Sequence, residues 1–241
     1  MLRTSAVFSH LNEALSALAS RDPERRRAAA TYLGQHPAPQ ALEALLAMLG
    51  DPNPLAQHAI IQALARQSGP EILPQLVRVL ADPNPLRRNA ALSVLTELSE
   101  QNPALPLDAL NHALPEVREW AAEALGELDH PQALPALVAR LESAGEHPNV
   151  RRAAAQSLGR LGQTAATPAL LEAALSGDFW LRHAAIEALS RLGDERAVEP
   201  LIGLMKQDAW TRAAVIRALG SLGHSAAVAD LTVMLDDANA A

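Results

Sequence analysis

Bulky aromatic side chains are rare in this chain and gather near its C-terminal end. The 241 residues include three Trp, two Phe and one Tyr. Phe179 and Trp180 are adjacent, and Trp210 occupies the equivalent place thirty residues later. Because large rigid rings are common anchors of protein interfaces, these residues predict a binding site. The alternative is that the rings fill gaps inside the fold, at positions where earlier parts of the chain carry Leu55 or Leu86.

Polar residues that could act together with these rings follow at helical spacing. His183, Glu187 and Arg191 are four residues apart, so they would share one face of a helix. A His and a carboxylate at this spacing can bind a metal or exchange protons. The chain has no Cys, no Gly-rich phosphate loop and no Ser–His–Asp set recognisable from spacing, so we expect no metal, no cofactor and no catalytic residue. The residues expected to contact a partner are Trp180, Trp210, His183, Glu187, Arg191, Arg152, Gln156 and Arg217.

A second set of charges recurs at one position throughout the chain, seven residues before a leucine. Its members are Arg26, Arg88, Arg118, Arg151, Arg182 and Arg212, and Gln57 stands in the one copy without an arginine. A residue repeated in this way is typical of a structural ladder. We expect these arginines to pair with the turn aspartate of their own or of the neighbouring unit and to cover the turn carbonyls. Those aspartates are Asp22, Asp82, Asp178 and Asp208. The alternative is a basic stripe that binds an anionic ligand.

The elements that must position these residues form a repeat of about thirty residues. Each of seven copies contains a turn with Asp or Pro, the arginine position, a pair of alanines and the leucine. A shorter apolar segment with leucines at helical spacing precedes each copy, as in residues 72–80. Each unit is therefore predicted to be helix A, a tight turn and helix B. The units start near residues 11, 41, 72, 105, 133, 166, 197 and 227, the last having helix A alone.

The composition favours the same architecture. The chain has 50 Ala and 41 Leu, which are strong helix formers, and few of the β-branched and aromatic residues that sheets prefer. An all-α fold without a sheet is predicted. A lone helix pair cannot bury its apolar face, so the pairs must stack into one continuous core.

The combination of Asp-Pro-Asn in the turn, the arginine, the Ala-Ala pair and a following Leu-Gly resembles the HEAT repeat, in particular the short repeats of phycobilisome lyases. The resemblance covers residues 11–235. It implies a right-handed α-α superhelix of about seven helix pairs plus a terminal helix, forming a single domain over residues 1–241. It also implies that helix B lines the concave side.

Two functions follow from this resemblance and from the residues. The first is a non-catalytic scaffold or adaptor that binds a partner protein across the concave helix-B face. The second is a subunit similar to the bilin lyases, which would cradle an acidic tetrapyrrole with Arg152, His183, Arg191 and the Trp pair. A net charge of −7, with glutamates at positions 119, 123 and 127 of the expected binding face, argues against nucleic acid. No apolar run is long enough for a membrane span, and we expect a cytoplasmic protein.

Overall fold

The computed structural model describes residues 8–67, 72–128, 130–207 and 211–223. These residues form fourteen α-helices and two short 3-10 helices, and they contain no β-strand. The α-helices follow one another in pairs along the chain. We call the first helix of each pair the A helix and the second the B helix. The protein is an all-α helical-repeat solenoid, as the sequence predicts. The final A helix expected near residue 227 lies outside the described residues, as does Trp210.

The helices group into two compact units, one ending at Leu105 and one beginning at Pro106. The first unit contains three pairs, and α2 packs against α4 and α4 against α6. Its helices are α1 (Leu11–Ala17), α2 (Pro23–Gln35), α3 (Pro39–Ala47), α4 (Pro54–Arg66), α5 (Ile72–Leu80) and α6 (Pro85–Gln101).

The second unit contains four pairs, and its B helices α8, α10, α12 and α14 pack in that order. Two 3-10 helices, over residues 164–166 and 195–197, precede its last two A helices. Its α-helices are α7 (Leu105–Ala109), α8 (Pro115–Leu125), α9 (Ala133–Glu142), α10 (Pro148–Leu161), α11 (Thr167–Ser176), α12 (Phe179–Leu192), α13 (Val198–Gln207) and α14 (Arg212–Leu222).

Five of the seven described B helices begin at a residue whose side chain caps them. Asn53 and Asn84 accept hydrogen bonds from backbone N–H groups in the first turns of α4 and α6, and a proline follows each cap. Asp22 and Asp178 cap α2 and α12 in the same way. Such caps satisfy N–H groups that have no partner inside the helix, and proline at the first helical position loses no bond. The Asp-Pro-Asn turns of the sequence are thus helix start signals.

Small residues let successive B helices approach closely. A Cβ placed on Gly34 of α2 would lie 2.7 Å from the Cα of Ala63 in α4. A Cβ on Gly159 of α10 would lie 2.8 Å from the Cα of Ala188 in α12. Both glycines stand eight residues after the ladder position, and both alanines stand six residues after it. The recurrent Leu-Gly of the sequence is therefore a packing requirement of the stack.

The buried core consists of the A-helix leucines and the alanine-rich sides of the B helices. In α10, for example, Ala154, Ala155 and Leu158 are completely inaccessible to solvent. Because one side of each B helix is buried in this way, the opposite side remains for contacts with other molecules.

Candidate functional site

Among the described residues, four positions of the B-helix repeat lie along one line that faces away from the core, which we call the B-helix stripe. Relative to the ladder position they are two before, one after, five after and nine after, so they repeat every three or four residues and share a face. In α12 the stripe is Trp180, His183, Glu187 and Arg191. Trp180, Glu187 and Arg191 are exposed and His183 is half-buried. The structure therefore brings four of the predicted partner-binding residues together on one helix.

The aromatic end of this stripe is open to solvent. The Trp180 side chain is 69 % exposed and Phe179 is 43 % exposed. Their ring centroids lie 5.1 Å apart in an edge-to-face arrangement, and the Phe179 ring lies 5.2 Å from that of His183. The indole of Trp180 is thus outside the core, unlike that of Trp120, which is 4 % exposed in α8. The exposure of Trp180 removes the alternative in which its ring fills a gap between repeats.

The charged end of the same stripe is an exposed ion pair. A guanidinium nitrogen of Arg191 lies 2.7 Å from a carboxylate oxygen of Glu187, one helical turn away. Arg217 of α14 lies at the stripe position that Glu187 occupies in α12, is exposed, and makes no ion pair with a described residue. An exposed pair of this kind contributes little to stability. Each of its two charges can therefore leave the other and pair with a group on a partner.

The stripes of α8 and α10 form a lattice of opposite charges. Arg152 lies 3.2 Å from Glu119, and Arg160 lies 3.0 Å from Glu127. In each pair the two residues occupy the same stripe position of successive B helices. Partial loss of solvent, with the negative charge of Glu119 nearby, raises the pKa of the Glu123 carboxyl. Arg152, which the sequence places in the partner site, is therefore already engaged within the protein.

Gln156 is half-buried on the α10 stripe between these two arginines. Sequence reasoning treated this face as independent side chains and missed the lattice. A signal was present, because Glu119 and Arg152 share one stripe position and Glu127 and Arg160 share another. Opposite charges at the same position of successive repeats are the sequence signature of such pairing.

In the first unit, a depression of about 250 Å³ lies between α2 and α4. Stripe residues of both helices line it, together with two alanines of α4. They are Arg27, Thr31, Leu55, His58, Ala59, Gln62, Ala63 and Arg66. These residues lie outside the set that the sequence predicts to contact a partner, because a cavity depends on how two helices meet and not on the residues of either one.

Two ladder arginines reach the acidic residue of the next repeat. Arg26 Nε donates to Asp51 Oδ2 at 2.6 Å, with 11 % and 0 % of the two side chains exposed. The second pair is Arg118 and Glu146, where the exposed fractions are 15 % and 3 %. The hydrogen bond from Arg26 holds the pKa of Asp51 below its usual range. Burial alone would raise the pKa of Glu146, but hydrogen bonds from Arg118 and the His147 N–H outweigh it and lower that pKa.

The ladder arginines also bind carbonyl groups of the turn before their own helix. Arg118 donates to His112 O at 2.7 Å and Ala113 O at 2.9 Å, and Arg88 makes the matching bonds to Asp82 O and Pro83 O. Arg26 makes the matching bonds to the carbonyls of Ser20 and Arg21. Three further ladder arginines donate through Nε to a preceding carbonyl. The pairs are Arg151 with Leu141, Arg182 with Gly177, and Arg212 with Met205.

The turn aspartates have partners other than those that the sequence suggests. Asp22 and Asp178 accept hydrogen bonds from the N–H groups of the helices that they cap. Asp82 pairs with Arg87, one residue before the ladder position, at 2.7 Å. Asp208 lies outside the described residues. Asp51 and Glu146 do pair with the ladder, and each precedes the B helix of the neighbouring unit by two or three residues. The pairing with a neighbouring unit is therefore present, but through acidic residues other than the four named.

No group of three or more His, Asp or Glu side chains in the described part of the chain is arranged to hold a metal ion. His183 and Glu187 share a face, but Glu187 is bound to Arg191. Among the helices of the described ranges, none is long and apolar enough to cross a membrane.

The repeats of this chain match a known sequence family. The family model of HEAT repeats matches residues 11–96, 103–190 and 174–241. The chain belongs to the HEAT-repeat family. A sequence relative is the bilin biosynthesis protein PecE of Mastigocladus laminosus, which is 36 % identical over 90 residues. That match spans 37 % of this HEAT-repeat chain and 22 % of PecE, so most of PecE lies outside it.

The solved structures that align with this chain have little sequence identity to it. The crystal structure of Kap121p bound to Nup53p aligns with a TM-score of 0.53 and 14 % identity, over 94 % of this chain and 31 % of Kap121p. A chain from the complex of CpcE and CpcF of phycocyanin lyase from Nostoc sp. PCC7120 aligns with a TM-score of 0.37 and 21 % identity, over 92 % of this chain and 97 % of that one.

Proposed function

We propose that this HEAT-repeat protein binds a partner protein with the B-helix stripe of α12, and that Trp180 is the anchor of the interface. The exposure of the Trp180 indole carries this proposal. Burying this large and mostly exposed aromatic ring in a pocket of a partner removes more apolar surface from water than burying any other stripe residue of α12 would. Within the isolated chain, the exposed indole gains no stabilisation from burial.

The charges around the indole define the partner. Phe179 and His183 flank Trp180 on the first turn, and Glu187 with Arg191 follow two turns later. An interface with an aromatic centre and a polar rim has the usual composition of a binding hot spot. The complementary surface is a pocket lined by apolar side chains, with a basic and an acidic group placed to exchange with the exposed ion pair.

The decisive experiment compares two alanine variants. Both change the first stripe position, one in α12 and the control in α6. Trp180→Ala removes the anchor, and Leu86→Ala removes the 50 % exposed side chain at the matching position of α6. Proteins retained by the immobilised wild type are purified, and their dissociation constants are measured by calorimetry. We expect Trp180→Ala to weaken binding by about 2 kcal/mol, roughly thirtyfold, and Leu86→Ala to leave it unchanged. Equal binding by wild type and Trp180→Ala would refute the proposal.

A second candidate function is a bilin-handling subunit, and the match to PecE favours it. Because PecE is a bilin biosynthesis protein, this match supports the bilin-handling role more directly than it supports a general scaffold. The acidic groups of a tetrapyrrole would be bound by cations of the second unit, and its rings would stack on exposed aromatic side chains. Because Arg152 is already paired with Glu119, the α12 stripe with Trp180, His183 and Arg191 is the better supported part of that cradle.

Tryptophan fluorescence separates this candidate from the first. Biliverdin titrated into the protein should quench the emission of the exposed Trp180 and shift the visible absorbance of the pigment. Trp180→Phe should remove most of the quenching while it retains an aromatic surface and therefore binding. Absence of any absorbance shift at saturating pigment would rule out the bilin role and leave the protein-binding proposal intact.

A further inference from the structure

The depression between α2 and α4 has an apolar middle and polar ends. Ala59 and Ala63 lie along one side of α4, and Leu55, which is 59 % exposed, extends the apolar surface toward the start of that helix. His58 lies near this end, and Arg66 lies two turns further on, about 12 Å along the helix axis. A ligand in this depression would therefore contact apolar surface between two hydrogen-bond donors.

The positive charge of Arg66 has no partner among the described residues. Arg66 makes no ion pair or hydrogen bond with any residue of the described ranges, and neither does the imidazole of His58. Two stripe arginines of the second unit differ in this respect, because Arg152 and Arg191 have glutamate partners at 3.2 Å and 2.7 Å.

The acidic groups near the depression are engaged elsewhere or are easily exchanged. The Glu97 carboxylate accepts a hydrogen bond from Gln62 Nε2 at 2.8 Å. Glu24 pairs with Arg27 at 2.7 Å, with half of each side chain exposed. A surface pair of this kind is worth little, so Arg27 can turn toward a bound anion at small cost.

We propose that this depression binds a carboxylate carried on an apolar stem. The Arg66 guanidinium donates to the carboxylate, and a planar guanidinium matches both carboxylate oxygens at once. The stem lies against Ala59 and Ala63 and ends beside Leu55, where His58 offers a further hydrogen bond. The carboxylate belongs to a free organic acid or to the C-terminus of a peptide, which present the same chemistry to Arg66. This site lies in the first unit and does not depend on the function proposed for α12.

The test uses 4-phenylbutyrate as the probe and its neutral amide, 4-phenylbutanamide, as the matched control. Binding to the full chain is followed by backbone amide chemical shifts in NMR spectra. We expect 4-phenylbutyrate to shift amides of α2 and α4, and the amide to bind at least tenfold more weakly because it lacks the charge. Equal binding of the two compounds, or shifts confined to other helices, would overturn the proposal.

Two variants and one control locate the interaction. Arg66→Gln should weaken 4-phenylbutyrate binding roughly tenfold, and Leu55→Ala about threefold, because the first removes the charge and the second part of the stem contact. Arg160→Gln changes the same stripe position in α10, where the arginine is paired with Glu127, and should leave the dissociation constant unchanged. All three side chains are exposed, so helix content should stay constant. Wild-type affinity in Arg66→Gln would contradict the assignment of the carboxylate to Arg66.

A peptide with a C-terminal phenylalanine, prepared with a free and with an amidated C-terminus, distinguishes the sources of the carboxylate. Tighter binding of the free-acid peptide than of 4-phenylbutyrate supports the proposal with a peptide C-terminus as ligand. Binding of 4-phenylbutyrate alone supports it with an organic acid as ligand. Failure of both free acids to bind refutes it.

Discussion

Replacing Arg118 with methionine removes one ladder guanidinium while keeping most of the length and apolar surface of the side chain. Arg118 Nε lies 3.0 Å from Glu146 Oε2, and its NH1 group donates to the carbonyls of His112 and Ala113. The carboxylate of Glu146 is almost completely buried. The variant therefore leaves a buried negative charge without its main partner and two turn carbonyls without a donor.

The size of the effect follows from what remains. Breaking a buried ion pair by removing one partner typically costs about 3–5 kcal/mol. Glu146 still accepts from the His147 N–H at 2.7 Å and from Arg140 at 3.4 Å, so part of its charge stays compensated. We therefore expect Arg118→Met to lower the free energy of unfolding by about 2–4 kcal/mol.

Urea unfolding followed by circular dichroism measures this loss. The matched control is Glu187→Ala, which breaks an ion pair whose side chains are 60 % and 47 % exposed. An exposed pair within one helix is worth about 0.5 kcal/mol or less. If Arg118→Met unfolds at the same urea concentration as Glu187→Ala, the ladder arginine is not a structural clamp and the reasoning fails.

Three other perturbations test the rest of the structure. Gly159→Ala should lower the free energy of unfolding by about 1–3 kcal/mol, because the new Cβ meets the backbone of α12. Gly203→Ala, in the open interior of α13, should raise the free energy of unfolding by up to about 1 kcal/mol. Equal urea midpoints for the two variants would contradict the close packing of α10 against α12. Asp178→Ala should cost about 1 kcal/mol through loss of the α12 cap, with Asp178→Asn as the conservative control that retains it. The lowered pKa of Asp51 means that its stabilising effect is complete above the unfolded pKa, near 4, and is lost as pH falls through the lower folded value. The urea midpoint should therefore fall between about pH 5 and pH 3 and fall less in Arg26→Met, and an identical acid dependence in the two proteins would exclude the pair as its cause.

Sequence periodicity was sufficient for the elements of this fold because each repeat carries its own start and packing signals. Asn53 and Asn84 cap their helices, and Gly34 and Gly159 stand where the next helix comes closest. Each of these roles depends on residues within one repeat or its neighbour. Local rules of capping and small-residue packing therefore predict them.

The partners of the charged side chains required three-dimensional information. Arg152 was expected to face a ligand, yet it is bound to Glu119 of the preceding B helix. The pairing depends on which side chains meet across two helices, and a helical face alone does not specify it. The exposure of Trp180 was likewise undecided by sequence, since both a core and a surface location agree with its position in the repeat.

The close packing of the B helices has a consequence for how such a protein can change over time. The residues that hold α12 in place, such as Ala188, lie on its buried side, and the residues that meet solvent, such as Trp180 and Glu187, contribute little to holding it there. Substitutions along the outer side can therefore accumulate with small effects on folding. A gene encoding this chain could acquire a new specificity through a few point mutations in one helix, without any compensating change in the rest of the protein.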